Sequence, residues 1–212
     1  MSAPFPYPRL ERGDGMADVH DVAAFVLEKL GPTSAMKLQK IVYYCQAWHL
    51  ARIRQPLFLE TTQALREGPV VAALYKRHRQ VFHVGGWPGG DGVRLAASEA
   101  ATVRWVCERY GDLSANELSE MTRRELPWIM ARGTLPPSVS GDKPVSTDIM
   151  ANFYSRQIAP AESAVLHAVS NAAMEGIDLD YDWIERLRDV ATGSISTDTL
   201  IAEEVARLKN GR

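Results

Sequence analysis

The side chains that could carry reaction chemistry are few and scattered. Five histidines, His20, His49, His78, His83 and His167, occur in 212 residues. None stands with another His, Cys, Asp or Glu at a spacing that fits a familiar metal site. His49 follows Trp48 in a helical pattern and reads as a hydrogen-bonded, half-buried residue rather than a ligand. Cys45 and Cys107 also sit in apolar helical patterns, a poor setting for a thiolate nucleophile. They read as buried free thiols of a reducing compartment, the alternative being a disulfide between them. Carboxylate pairs such as Glu117 and Glu120 fall on a solvated helical face. The sequence holds no G-x-G-x-x-G, no phosphate-binding loop and no G-x-S-x-G elbow. The run GGWPGGDG follows no strand and opens no helix with a lysine. No metal site and no cofactor are expected, and the chain reads as a non-enzyme.

Aromatic side chains are instead concentrated on one helix. Met36 to Tyr44 reads MKLQKIVYY, followed by Ala47-Trp48-His49, in a protein only 8% aromatic. Helical spacing sets Tyr44 and Trp48 one turn apart, with Lys37, Lys40 and Tyr44 along an adjacent ridge. Ser34 caps this helix. Its apolar face is Leu38, Ile41, Val42, Cys45 and Trp48, with Lys37, Gln39 and Lys40 lying elsewhere.

The remaining elements follow from local signals. Asp18 caps an earlier helix through Val19, Val22, Val26 and Leu30, which Gly31-Pro32 stops. Pro56 to Leu59 and Thr61 to Leu65 read as extended, forming one small hairpin. Gly68-Pro69 reads as the start of a helix with a stripe of Val70, Val71, Leu74 and Tyr75. Lys76 to Arg79 suit the negative pole at its end. Residues 83–93 read as a glycine-rich loop. Helices are expected from Ser98, and from Ser114 with Glu117 as a capping box. Pro127-Trp128 marks a short element, 133–145 a loop, and Ser146 the start of a further helix. From Pro160 three short helices are expected, Pro160–Glu175, Tyr181–Ala191 and Ser196–Lys209, separated by Gly176 and Gly193. A tail of this size with few bulky apolar residues needs a surface to lie on.

The fold class is therefore mainly α: a compact helical domain over 18–157 with a small β-hairpin element, then a three-helix C-terminal extension over 158–212. Residues 1–17 read as a flexible arm, with Pro4, Pro6, Pro8, Gly13 and Gly15 breaking any period. Lys and Arg total 24 against 26 Asp and Glu, a net charge of −2. No basic excess makes nucleic acid the default partner. No apolar run approaches a membrane span and no signal peptide opens the chain, so a cytoplasmic protein is expected.

The ordered series KLQKIVYY, AWHLA, PLF, GPVV with LY, and LS with E and PW resembles the Panacea, or SocA-like, antitoxin domain over about 18–157. This resemblance implies a bacterial antitoxin that neutralises a co-encoded protein toxin by direct contact. It marks Lys37, Gln39, Tyr44 and Glu67 as possible toxin contacts. It marks Trp48, Gly68, Pro69 and Trp128 as structural.

The tail, with SNAAMEG, then DWI and VATGSISTD, resembles the small VbhA-like antitoxins of Fic toxins. Their inhibitory motif is Ser or Thr, three residues, Glu, then Gly or Asn. Here it falls on Asn171, Glu175 and Gly176, with Asn171 departing from Ser or Thr. Glu175 also sits in the last turn of its helix, where the dipole disfavours an anion by up to ~1 kcal/mol. The resemblance implies a Fic AMP-transferase as toxin, its ATP γ-phosphate site blocked by Glu175. The alternatives are a Panacea antitoxin for an unrelated toxin and an operon-autoregulating DNA-binding protein. Operator binding by the complex is the nucleic-acid contact left open.

Overall fold

The computed structural model describes residues 16–136 and 139–210; most of the expected N-terminal arm lies outside them. Asp18 accepts from the His20 N–H and starts α1, Val19–Leu30. Thr33–Ser34 forms β1, and Ser34 caps α2, Ala35–Ile53, by accepting from the Lys37 N–H at 3.1 Å. A hairpin of β2, Thr62–Leu65, and β3, Gly68–Val71, leads into α3, Ala72–His78. His83–Val84 is β4. Then come α4, Ala97–Tyr110, α5, Ala115–Arg124, and α6, Leu126–Arg132. The chain ends in α7, Thr147–Met174, α8, Tyr181–Ala191, and α9, Thr197–Asn210. The fold is mainly α, with two small antiparallel sheets, β1 with β4 and β2 with β3.

The hub is α2, packed against α1, α4, α5, α7 and β3. Every residue from Leu38 to Ala51 is buried. The one-sided apolar face expected from the sequence is thus too narrow, because Gln39 and Lys40 are buried as well. A helix wrapped on all sides must pair its polar groups internally, and this one does. Gln46 accepts from the Leu57 and Phe58 N–H groups and donates to the Phe58 carbonyl. His49 Nδ1 lies 3.0 Å from the Thr102 hydroxyl, and burial lowers its pKa to about 4, so the ring is neutral. Cys45 and Cys107 are buried free thiols.

Two further elements differ from expectation. Gly68-Pro69 does not open a helix; it belongs to β3, and α3 starts at Ala72. The Gln39 side chain decides this, accepting from the Val71 N–H at 2.8 Å and donating to the Val71 carbonyl at 3.3 Å. Tyr75, placed on the buried stripe by the sequence, is exposed. The glycine-rich loop is also partly ordered: β4 pairs with β1, and Gly90 lies against α1. A Cβ at Gly90 would stand 1.9 Å from the His20 carbonyl oxygen.

The third difference is in the tail. A separate helix beginning at Pro160 is not formed, because α7 runs unbroken through Pro160. A proline inside a helix removes one hydrogen bond and crowds the preceding turn. Burial continues across it, from Met150 and Tyr154 to Ala161 and Val165. The boundary expected at 157/158 falls inside this one helix. No described helix is long and apolar enough to cross a membrane.

Candidate partner-binding site

The motif residues converge on the hairpin and the helices that hold it. Gly68, at φ +102°, lets the chain turn from β2 into β3. A Cβ there would meet the Thr122 hydroxyl at 2.8 Å and the Lys40 Cε at 3.0 Å. The Pro69 carbonyl accepts from Lys40 Nζ at 3.0 Å. Burial lowers the Lys40 pKa to about 7, a shift that nearby Glu67 opposes and Arg123 reinforces. Ser119, on α5, donates to the Glu67 carbonyl at 2.6 Å, and Trp128, on α6, donates to the Leu65 carbonyl at 2.9 Å. The hairpin is thereby tied to α2, α5 and α6 through its own backbone.

A second polar cluster lies deeper. Tyr44 stacks on Tyr110 with ring centroids 4.2 Å apart, and Trp48 donates to the Tyr110 hydroxyl at 2.9 Å. Tyr44 donates to Glu125 at 3.1 Å, and Tyr154 donates to the same carboxylate at 2.5 Å. Burial raises the Glu125 pKa to about 7, with the two tyrosine hydrogen bonds opposing the shift.

Of the four residues marked as toxin contacts, Gln39 and Tyr44 are buried with internal partners. Lys37 is half-buried and donates to the Gly111 carbonyl. Glu67 is exposed, pairing with Arg66 at 2.9 Å and Arg123 at 3.7 Å. Trp48, Gly68, Pro69 and Trp128 hold the packing just described. Buried Lys40 and half-buried Glu125 are the ionisable groups at the centre of these clusters. The sequence places Lys40 on the ridge with Lys37 and Tyr44 but marks neither Lys40 nor Glu125 as a site residue. Among the described residues, no group of His, Cys, Asp and Glu could hold a metal ion.

Residues 38–129 match the family model of the antitoxin SocA-like, Panacea domain. The match runs from α2 into α6 and contains both polar clusters except Tyr154. A match to an antitoxin family supports a toxin–antitoxin role, which implies a protein toxin as partner. No curated protein and no solved structure matches the chain.

The tail lies beyond the Panacea match. Asn171, Glu175 and Gly176 are exposed at the end of α7. Glu175 caps the helix, its N–H donating to the Ala172 carbonyl at 3.0 Å, and Gly176 follows at φ +77°. The Ile177 N–H closes back on the Ala172 carbonyl at 2.9 Å, which fixes the helix end by a Schellman-type turn. Asn171 precedes Glu175 by one helical turn.

Proposed function

We propose that the protein is an antitoxin that binds a co-encoded protein toxin, and that this toxin is a Fic-type AMP-transferase inhibited by Glu175. The observation that carries the reading is an exposed glutamate at the last turn of a long helix, immediately before a left-handed glycine. The carbonyl end of that helix adds its negative pole to the Glu175 carboxylate. An arginine guanidinium approaching this point gains from both, and a carboxylate–guanidinium pair is among the stronger polar contacts. In a Fic enzyme the active-site arginine holds the ATP γ-phosphate. Glu175 would take the phosphate's place, leaving ATP without its productive pose. Asn171 offers a second polar group on the same face. The Panacea region would add contact surface, and linking two weak binders raises overall affinity.

The test is co-expression with the product of the adjacent reading frame, followed by AMP transfer from labelled ATP. Wild type is compared with Glu175→Gly. Labelling confined to the mutant, with the complex intact, is the expected outcome. No labelling in either complex would remove the glutamate plug. It would favour a second reading, an antitoxin against a non-Fic toxin, which the location of the family match outside the tail supports.

A further inference from the structure

Beyond α7 the tail is fastened to the core at the turn between α8 and α9. Trp105, on α4, is nearly buried, with its ring edge-on to Trp48 at 4.9 Å. The guanidinium groups of Arg52 and Arg109 each lie 5.3 Å from the Trp105 ring. From this platform the Trp105 indole N–H donates to the Ser194 hydroxyl, and Arg109 donates to the Thr192 carbonyl at 2.6 Å.

The turn is shaped for this contact. Gly193 takes φ +73°, the Ser194 N–H donates to the Asp189 carbonyl at 2.8 Å, and the Thr192 and Ser194 hydroxyls are 3.0 Å apart. Charge adds to the fit. Arg109 meets the negative pole of α8, and the Arg52 charge favours the ionised form of Asp189 against the effect of burial. Arg186 of α8 pairs with Glu203 of α9 at 2.5 Å, so whatever holds the turn holds both helices.

The joint is nevertheless not packed like an interior. Solvent-open clefts of about 390 and 450 Å³ flank the turn, and no residue of α8 is fully buried. α8 packs along α7 and Leu200 of α9 is buried, and the polar and cationic contacts at this turn add a second anchor on α4. Met174, Ile177 and Tyr181, together with Ile201 and Val205 of α9, stay exposed.

We propose that Trp105 and Arg109 form a docking site on the core for the chain's own α8–α9 turn, and that docking preorganises the tail for its protein partner. The second half rests on the toxin-binding reading above. A tail already ordered on the core loses less conformational freedom when it binds.

Two full-length variants test the proposal. Ser194→Ala removes the acceptor from the tail and leaves every core side chain in place. Arg109→Gln removes the cation. In hydrogen exchange of the free protein, amides of 181–205 are expected to exchange about tenfold faster in the double variant, with α2 unchanged. Unchanged exchange in α8 and α9 would overturn the docking site. Affinity for the product of the adjacent reading frame is expected to fall about tenfold. A loosened tail with undiminished affinity would overturn preorganisation. If the wild type itself fails to bind, the toxin reading falls, and the exchange result still decides the docking site.

Discussion

Tyr154 donates to the Glu125 carboxylate at 2.5 Å, joining the first third of α7 to the residue that ends α5 and precedes α6. Tyr44 reaches the same carboxylate from α2. Three helices thus meet on one half-buried acid, which ties α7 to the segment that matches the Panacea family model.

That acid makes stability depend on pH. Its folded pKa is raised from 4.5 to about 7, so between these values the folded state holds more protons than the unfolded. The Glu125 contribution to stability therefore falls as pH rises from 4.5 towards 7. Neutral His49, its pKa lowered from 6.5 to about 4, contributes a rise that offsets it below 6.5. Glu125→Gln is expected to remove the falling contribution and to raise the unfolding midpoint at pH 8. Urea melts at half-unit pH intervals check this; an unchanged slope would show that Glu125 does not titrate in place.

Lys40 acts in the opposite sense over the next window. Its folded pKa is lowered from 10.5 to about 7, so the unfolded state holds more protons between these values. Stability rises with pH across 7 to 10.5. The two groups together place a minimum of stability near pH 7. Lys40→Met, close in length and neutral, is expected to remove the rise on the alkaline side. A curve that peaks at pH 7 would contradict both assignments.

Gly68→Ala combines a strained φ with a steric clash against Thr122 and Lys40. Substitution where the native φ is positive destabilises by more than the ~1 kcal/mol such exchanges gain elsewhere. The expected loss is about 2 kcal/mol or more, read as a lowered thermal midpoint with unchanged helical circular dichroism before the transition.

Pro160→Ala supplies the N–H that α7 lacks at that position. Removing a proline from a helix interior is expected to stabilise by on the order of 1 kcal/mol or more. Hydrogen exchange over 156–164 should slow accordingly. Faster exchange there would mean that the proline supports the helix by packing rather than weakening it.

The legible parts of this fold are those marked by a side chain next to the element it shapes. Asp18, Ser34, Ser114 and Ser146 each cap a helix that begins where the sequence places it. The illegible parts were decided at long range. Gly68-Pro69 carries the local signature of a helix start, but Gln39, 32 positions away, binds the backbone into a strand. Pro160 carries the signature of a break, but burial of Ala161 and Val165 carries α7 past it. The site divides the same way. The helix end at Glu175 and Gly176 is legible from the glycine alone, whereas the docking of Thr192 and Ser194 on Trp105 and Arg109 has no counterpart in local pattern.

Because α7 is unbroken, its exposed end is set by its buried part. From Val165, the last described residue of α7 that is buried, to Glu175 the helix runs about 15 Å. A tilt of about 10° in the buried part moves the tip by about 3 Å, the length of a hydrogen bond. A slight loosening among the buried tyrosines would therefore be felt at Glu175 as the gain or loss of a whole contact.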